Sequence, residues 1–581
     1  MIGGAGDMSG MLLEEVRIEN FRALQDVWVP LRRINVLIGE NNAGKTSFLH
    51  ALAFLFDAWK AGEEDIHRHL GEDADTRSLM VDALIRPDGA QQFPAVIKEL
   101  LADAIQIGKG EEPDRVALRA HLAWDDQRGE YRVTRRFLRG WARTAAQARQ
   151  SVVPLSRPLP TREQMELFSF HLLDAKRDIV SDLRMRGSYW SQLMRDPQLP
   201  EEVRRAVEQQ IGSLNQEIIR QSPVLDHVTA RLGEMELAAA KTTEGRVGIV
   251  PIPERVEELL PAMGINYAVP GAPLFPLGRH GMGTRSWAAL LVFRAYAEWI
   301  RDKGPRAERV SLQMIGVEEP EAHLHPQAHR ALFGRLQDSP GQKFISTHSP
   351  YVGAQASMED LLIFRREAGI VAVRPLTKGI SPDSLKKVQR FVQLGHADLL
   401  FARALILVSG QTEEVVLPIF FQSFFGTDLY GWGVSLVQVE GDRNFPAFVQ
   451  AARAAGIPWF VLSDSDQSGE GAAAQLEQLD GGEVFRLPVG CNWEQFMVQA
   501  YPQEVEQELG GPGAVATDTR ADSPDSKADM ARILARHKLL HARNLAERIA
   551  VLPDPQRRVP EPVRRMFERI REALGTEVRA G

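Results

Sequence analysis

The segment Gly39-Glu-Asn-Asn-Ala-Gly44-Lys45-Thr46 directly follows an apolar run at residues 34–38. It matches the pattern G-x-x-x-x-G-K-[S/T], in which a glycine-rich loop joins a buried strand to a helix. We predict that helix over residues 46–56. Such a loop and the helix N-terminus turn their backbone N–H groups toward one point, where a phosphate group binds. The order strand, loop, helix therefore predicts a phosphate-binding loop in an α/β fold.

The lysine and the threonine of this loop have different predicted roles. Lys45 is expected to contact the β- and γ-phosphate oxygens of a nucleotide, and Thr46 is expected to bind its Mg²⁺ ion. The alternative is a chance match in a glycine-rich turn, which the preceding apolar strand disfavours. The residues assigned to nucleotide binding in this segment are Gly39, Asn41, Asn42, Gly44, Lys45, Thr46 and Ser47.

Two adjacent carboxylates follow an apolar run at residues 312–317. Ligands of parallel α/β sheets bind at the carboxyl edge, where Glu318 and Glu319 are expected. We assign Glu318 to Mg²⁺ and Glu319 to the attacking water, which a carboxylate can polarise. A further strand at residues 343–347 ends at His348, which is expected to contact the γ-phosphate. The alternatives are an ordinary charged turn and a structural histidine.

The segment 280–286, His-Gly-Met-Gly-Thr-Arg-Ser, precedes a helix predicted over residues 287–300. Small residues before a helix leave its backbone N–H groups open to an anion. Gly281, Gly283 and Ser286 are therefore predicted to form an anion pocket, with an ordinary helix cap as the alternative. Together with the phosphate loop, the paired carboxylates and the histidine, this segment resembles the head of ABC-type ATPases, including their SMC-like and RecF-like branch.

This resemblance implies how the nucleotide is held. In the family, the glycine- and serine-containing segment closes over ATP that is bound to another subunit, so two heads enclose two nucleotides. We therefore expect a homodimer or a higher homo-oligomer. Glu318 stands where the family more often has aspartate.

A second α/β pattern begins near residue 399. Short apolar runs at residues 404–408, 434–439 and 459–462 are separated by helical segments, which predicts a parallel sheet. Asp464 and Asp466 follow the last of these runs. Two aspartates at i and i+2 after a strand can converge on a divalent cation, and an Asp-rich turn is the alternative.

This second unit resembles a Toprim domain, the metal-binding module of topoisomerases, primases and certain nucleases. An ATPase head followed by Toprim resembles the overcoming-lysogenisation-defect (OLD) family, to which the nuclease subunit of the Gabija phage-defence system is related. The resemblance implies cleavage of DNA with two divalent metal ions, Mg²⁺ or Mn²⁺, and a basic residue that steadies the scissile phosphate. It assigns the metal ligands to Glu413, Asp464, Asp466 and Glu494, and the basic residue to Lys538.

One position departs from the family. Leu-Val-Glu-Gly is usual at the end of the first Toprim strand, whereas this chain has Leu-Val-Ser409-Gly. Serine carries no charge at neutral pH, and losing one transition-state group commonly costs several kcal/mol. Glu440 and Glu414 are the candidates for supplying the carboxylate that Ser409 lacks. Two functions stay open: a metal-dependent DNA endonuclease in phage defence or DNA processing, or an ATP-gated sensor of DNA or a partner with a non-cleaving Toprim domain.

A third reading, an ATPase of membrane transport or translation, predicts no divalent metal in the second unit. The single cysteine, Cys491, excludes an intramolecular disulfide and a cysteine-based zinc site, which fits a reducing cytoplasm. No run approaches the roughly 18 apolar residues of a membrane span. The net charge of −8 does not exclude DNA binding, because a local basic groove can coexist with an overall acidic protein. We therefore expect a cytoplasmic protein without a membrane partner.

The fold class predicted is α/β, an ABC-type P-loop ATPase head with a helical insertion followed by a Rossmann-like Toprim domain. The expected partners are DNA, further copies of this chain and a companion defence protein such as a helicase. The predicted domain boundaries are a flexible leader at 1–10, the first part of the head at 11–177, a dimerising helical insertion at 178–245, the second part of the head at 246–395, and Toprim with a helical tail at 396–581.

Overall fold

A computed structural model describes residues 10–68, 78–142, 159–174, 199–228, 250–259, 265–268, 273–303, 311–322, 324–367, 369–465, 476–477, 479–510 and 527–575. The mixed α/β class predicted from the sequence is confirmed. In these ranges no helix is both long and apolar enough to cross a bilayer. The predicted leader lies, except for Gly10, outside the described residues.

The strands of these ranges are β1 (Met11–Phe21), β2 (Leu24–Pro30), β3 (Ile34–Gly39), β4 (Leu79–Pro87), β5 (Ile105–Gln106), β6 (Arg115–Asp125), β7 (Glu130–Leu138), β8 (Phe168–Leu173), β9 (Asn266–Tyr267), β10 (Phe275–Pro276), β11 (Leu312–Glu318), β12 (Gln342–Thr347), β13 (Leu361–Glu367), β14 (Ile370–Pro375), β15 (Ala404–Val408), β16 (Val434–Gln438), β17 (Trp459–Ser463) and β18 (Gly482–Arg486).

The helices are α1 (Lys45–Leu55), α2 (Ala95–Leu101), α3 (Arg162–Glu166), α4 (Glu201–Gln221), α5 (Val256–Leu259), α6 (Met282–Lys303), α7 (Pro326–Gln337), α8 (Pro350–Gln355), α9 (Pro382–Phe391), α10 (Gln411–Phe425), α11 (Phe445–Ala455), α12 (Trp493–Ala500), α13 (Pro502–Gly510), α14 (Lys527–Arg536), α15 (Lys538–Ala550) and α16 (Glu561–Leu574).

An antiparallel sheet opens the chain, with strand order β2-β1-β4-β6-β5 and β7 paired to β6. In β1, Val16 and Ile18 are fully buried whereas Glu15 and Glu19 are not, and Arg17 between them is 3% exposed and paired with Asp82. Strands β6 and β7 form an antiparallel hairpin, which pairs from Asp125 and Glu130 outward.

The second sheet places the phosphate loop at its carboxyl edge. Its order is β14-β13-β3-β12-β11-β8, and all of its strands except β14 run parallel. The loop leaves the end of β3, and β12 and β11 end beside it. Because parallel strands finish at one edge, residues nearly 300 positions apart in sequence meet there.

The third sheet is fully parallel, with strand order β16-β15-β17-β18, as the sequence pattern predicts. It shares an apolar core with the second sheet. One buried cluster contains Val36 and Ile345 of the first unit together with Leu405, Phe448 and Trp459 of the second. The core is therefore continuous across the predicted boundary between residues 395 and 396.

The predicted helical insertion is described in part. Helix α4 spans 21 residues and lies within the predicted insertion at 178–245. Residues 175–198 and 229–249 lie outside the described ranges. The dimerising role of this segment stays a prediction.

Candidate active sites

The phosphate loop has the backbone that its glycines permit. Asn42 and Gly44 have left-handed φ values of 61° and 94°. At Gly39, an added Cβ would lie 2.2 Å from the carbonyl oxygen of Phe364 on β13, so a side chain is sterically excluded there. Helix α1 begins at Lys45, and residues 41–47 line a cleft of about 540 Å³.

Lys45 is folded back onto its own loop. Its Nζ donates to the carbonyl oxygens of Gly39, at 2.7 Å, and Glu40, at 2.8 Å. The side chain is 6% exposed, and burial lowers the pKa of Lys45 to about 8, although four nearby carboxylates oppose the shift, Glu319 most strongly. A triphosphate would supply the charge that this poorly solvated ammonium group lacks.

The two residues predicted to hold Mg²⁺ meet across the sheet edge. The Thr46 hydroxyl donates a hydrogen bond to Glu318 Oε1, joining helix α1 to the end of β11. Carboxylate and hydroxyl oxygens are ligands that Mg²⁺ prefers, so the donor set fits this ion.

Glu319 and His348 face each other in the cleft, with Glu319 Oε1 3.5 Å from His348 Nε2. Glu319 has a φ of 43°, a left-handed conformation that non-glycine residues seldom adopt and that is typical of functional sites. Burial, followed by the positive charge of Lys45, lowers the pKa of His348, so the imidazole is neutral at pH 7. A carboxylate and a neutral imidazole can together orient a water molecule.

Glu321 fixes the loop that carries His348, a role that sequence reasoning missed. Its Oε1 accepts hydrogen bonds from Thr347 Oγ1 at 2.6 Å, the His348 N–H at 2.9 Å and the Ser349 N–H at 3.1 Å. Ser349 in turn caps helix α8. The spacing of Glu321 from Glu319 contains no signal for this role, because the three donors belong to a different strand end.

Arg22 is the second residue that was missed. It lines the cleft from the turn between β1 and β2, with a φ of 49°. Its Nε donates to Asp65 Oδ1 at 2.7 Å, and its guanidinium lies 4.8 Å from the centre of the Trp59 ring. Arg22 therefore places a positive charge at the cleft, and Asp65 fixes its position. Sequence analysis assigned no role to this turn.

The segment at 281–286 differs from its prediction. Helix α6 begins at Met282 rather than at residue 287, so Gly283 lies in the first helical turn instead of before it. Among the described residues, the cleft of the phosphate loop is lined from residues 22–23, 41–47, 319, 346, 348 and 366, and not from this segment. The structure does not describe the side chain of Ser286. Binding to the nucleotide of another subunit stays a prediction for Gly281, Gly283 and Ser286.

In the second unit, Glu413 is a buried carboxylate at the start of helix α10. It is 4% exposed, and its Oε2 has no hydrogen-bond partner among the described residues. This oxygen lies over Gly410, where an added Cβ would be 2.8 Å away. Burial raises the pKa of Glu413, although its own backbone N–H and Lys538 oppose the shift. A buried oxygen of this kind is expected where a cation binds.

Lys538 lies among the carboxylates predicted to bind metal. Its Nζ is 3.1 Å from Oε1 of Glu494, which is 6% exposed in the first turn of α12. Burial would lower the pKa of Lys538, but the carboxylates of Glu494, Glu413 and Asp464 outweigh burial, and the pKa is raised. Lys538 and Glu494, distant in sequence, are therefore close together in the structure. Asp466 lies outside the described residues.

The donor chemistry fits a divalent ion, although the ligands do not yet enclose one. In the described part of the chain, no group of three or more His, Cys, Asp and Glu side chains is arranged to hold a metal ion. Glu494 nevertheless lies 3.1 Å from the Lys538 ammonium group, on which the charges of Glu413 and Asp464 also act, and the buried Oε2 of Glu413 has no hydrogen-bond partner among the described residues. All-carboxylate donors suit Mg²⁺ and Mn²⁺.

The loop after β16 closes over Ser409. The Ser409 carbonyl oxygen accepts from Gln438 Nε2 at 3.3 Å and from the Gly441 N–H at 3.1 Å. Asp442 follows in this loop, and its charge, like that of Glu494, raises the pKa of Glu413. Sequence reasoning named Glu440 and Glu414 as compensating carboxylates and missed Asp442, whose signal was its position after a strand end.

Comparisons with known proteins agree with this order of sites. Residues 11–85 and 207–352 match a family described as an AAA ATPase domain, and residues 400–466 match the Toprim domain of overcoming-lysogenization-defect-like proteins. The chain is thus similar to the OLD family, in which an ATPase domain and a Toprim domain stand in this order. It is 25% identical to the OLD nuclease of Thermus scotoductus over 478 residues, 78% of this chain and 82% of the relative. It is 26% identical to the Old nuclease of Escherichia phage P2 over 198 residues, 33% of each chain.

A solved structure, the C-terminal region of the Burkholderia pseudomallei OLD protein, is similar over 30% of this chain and 100% of its own length, with 21% identity and a TM-score of 0.24. At that TM-score the likeness adds nothing to the assignment, which rests on the family matches and the strand order. The chain is an ATPase, and its Toprim domain follows the head and shares its core.

Proposed function

We propose that this ATPase is a divalent-metal-dependent DNA endonuclease that acts in phage defence or DNA processing. The observation that carries the proposal is the position of Lys538, whose ammonium lies 3.1 Å from Glu494 in the field of Glu413 and Asp464. The lysine ammonium group can bind a phosphodiester, and the carboxylates near it can bind the metal ions that promote its hydrolysis. Two relatives are named as nucleases, which supports the same chemistry.

In the ATPase head, the residues of the cleft have separate tasks. Bound Mg²⁺ would be held by Thr46 and Glu318 and would neutralise charge on the β- and γ-phosphates. When a nucleotide binds, Lys45 Nζ would donate to phosphate oxygens instead of to the carbonyl oxygens of Gly39 and Glu40. Glu319 orients the attacking water, with neutral His348 beside it, and both are positioned by strand ends of one sheet.

In the Toprim site, Glu413, Asp464, Asp466 and Glu494 would hold the divalent ions, which supply water activation and stabilise the leaving oxygen. Lys538 steadies the scissile phosphate with its ammonium group. The buried Glu413 is pre-placed, because helix α10 and its own backbone N–H fix it before any ion arrives.

Supercoiled plasmid incubated with the protein and Mn²⁺ or Mg²⁺ tests this proposal. Conversion to nicked or linear DNA that stops on addition of EDTA is the expected result. DNA that is retained on the protein without any cleavage would favour the ATP-gated sensor, for which the absence of glutamate at Ser409 is the specific observation.

Asp442 is proposed to supply the carboxylate that Ser409 lacks. Asp442→Asn is expected to slow nicking by about 10²-fold, in the range for loss of one transition-state group. Adding Ser409→Glu to Asp442→Asn should recover most of the rate, because glutamate is then restored where the family has it. Glu440→Gln, two residues away and exposed, is the matched control. The measurement is the rate of plasmid nicking. A larger loss of rate in Glu440→Gln than in Asp442→Asn would contradict the role proposed for Asp442.

Arg365 is proposed to couple nucleotide binding to the Toprim site. It donates to the carbonyl oxygens of Ala402, at 2.9 Å, and Arg403, at 3.2 Å, at the entry to β15. Its chain neighbours contact the phosphate loop, since Phe364 packs on Gly39 and Arg366 donates to the Asn42 carbonyl at 3.5 Å. A change in the loop therefore reaches the first Toprim strand through one side chain.

Arg365→Met is expected to keep ATP hydrolysis near the parental rate and to abolish the effect of ATP on nicking. The measurement is the ratio of nicking rates with and without a non-hydrolysable ATP analogue. Arg390→Met, at an exposed arginine of α9, is the control and should keep the parental ratio. An unchanged ratio in Arg365→Met would exclude this route.

A further inference from the structure

A buried carboxylate of helix α13 holds helix α15 along one face. Glu508 is 1% exposed, and its Oε1 is 3.1 Å from His541 Nδ1 and 2.9 Å from Asn544 Nδ2. Its Oε2 accepts from Arg548 Nε at 3.2 Å. One carboxylate thus binds three side chains that span two turns of α15.

Lys538 belongs to the same face of that helix. His541 lies three residues after Lys538, and Asn544 and Arg548 continue the stripe at helical spacing. The stripe therefore meets two buried carboxylates, Glu494 of α12 at its N-terminal end and Glu508 of α13 further along. Rotation or sliding of α15 would move Lys538 and break the contacts of Glu508 together.

The burial of this cluster makes its geometry strict. A buried carboxylate is tolerated only when hydrogen bonds and opposite charge replace its lost water. His541 is also 1% exposed, and because an ionised carboxylate only accepts hydrogen bonds, its contact with Glu508 requires a proton on Nδ1. Donors placed at fixed points on a rigid helix leave few alternative arrangements for Glu508.

We infer that Glu508 is a positioning residue for the nuclease site, which holds Lys538 against the metal-binding carboxylates by fixing helix α15 through His541, Asn544 and Arg548. This inference rests on the proposed nuclease function for its catalytic meaning. Its geometric content, that Glu508 decides where the Lys538 amine lies, is independent of cleavage.

Glu508→Gln tests the inference in the full-length protein, because it preserves shape and removes the charge that the three donors need. The kcat of plasmid nicking should fall by about 10- to 100-fold, the range for a displaced catalytic group, with little change in KM for DNA. In a Lys538→Ala background the same substitution should have no further effect. ATP hydrolysis should stay at the parental rate.

Glu504→Gln is the matched control. Glu504 is a 6% exposed carboxylate on the same helix, but its Oε1 accepts from Arg557 at 3.1 Å rather than from α15. Both variants lose a buried ion pair, so a similar drop in Tm is expected from each. Only Glu508→Gln should slow nicking.

A second readout does not depend on nuclease activity. Acetylation of the Lys538 amine by an N-hydroxysuccinimide ester, followed by mass spectrometry, should be several times faster in Glu508→Gln than in Glu504→Gln. Arg548→Met, which removes one partly exposed donor, should give a smaller increase and serves if Glu508→Gln does not fold.

Equal labelling of Lys538 in Glu508→Gln and its control would overturn the positioning role. A further loss of nicking on adding Glu508→Gln to Lys538→Ala would also overturn it, because Glu508 would then act by another route. If the parent protein does not cut DNA, the proposed function fails, and the labelling comparison alone still decides the positioning of Lys538.

Discussion

Lys45→Ala is expected to lower the rate of ATP hydrolysis by about 10²- to 10³-fold, the range for loss of one preorganised charge-stabilising donor. The ammonium lies in a poorly hydrated loop, where burial lowers its pKa to about 8 while four carboxylates surround it. Its electrostatic contribution to a developing phosphate charge is therefore large, and water entering beside alanine cannot replace it.

Steady-state phosphate release measures this effect, and fluorescent-nucleotide binding separates loss of affinity from loss of catalysis. Lys386→Ala, at an exposed lysine of α9, is the control and should hydrolyse ATP at the parental rate. Parental hydrolysis by Lys45→Ala would contradict the assignment of the phosphate loop and, with it, the proposed sharing of ATP between two heads.

Glu413→Gln is expected to reduce DNA nicking by about 10³-fold, at the upper end for removal of one charged group from a catalytic site. Its Oε2 is buried and has no hydrogen-bond partner among the described residues, so this oxygen is available to a divalent ion. The amide keeps the shape of the side chain but loses the charge that attracts the cation. Mn²⁺ affinity, measured by calorimetry on the full-length protein, should fall in parallel.

The Tm of Glu413→Gln shows whether a slower nicking rate comes from loss of a metal ligand or from unfolding. Burial raises the pKa of Glu413, so its ionised form weakens the folded state at neutral pH, and glutamine removes that penalty. The Tm of metal-free Glu413→Gln should therefore equal or exceed that of the parent. Glu414→Gln, the same change one residue later on α10, is the control. Parental Mn²⁺ affinity in Glu413→Gln would exclude Glu413 as a ligand.

Much of the fold was predictable because its signals are local. The glycines of the phosphate loop, the apolar strand before it and the helix after it are contiguous, and the structure has them within a residue of the prediction. The start of α6 was placed five residues late, since glycines suggested a loop where the chain already forms a helix. Small residues are permissive, so their pattern alone does not end a helix.

The sequence by itself determined the chemistry carried by contiguous motifs: the phosphate loop, the paired carboxylates after β11 and the acidic strand ends of the Toprim sheet. Only the tertiary structure decided that Arg22 enters the nucleotide cleft, that Asp442 and Lys538 act on Glu413, and that Glu508 holds the helix bearing Lys538. Motifs encode local backbone geometry, whereas these contacts join side chains from separate elements. Their distances are set by how the sheets and helices pack, which no spacing along the chain records.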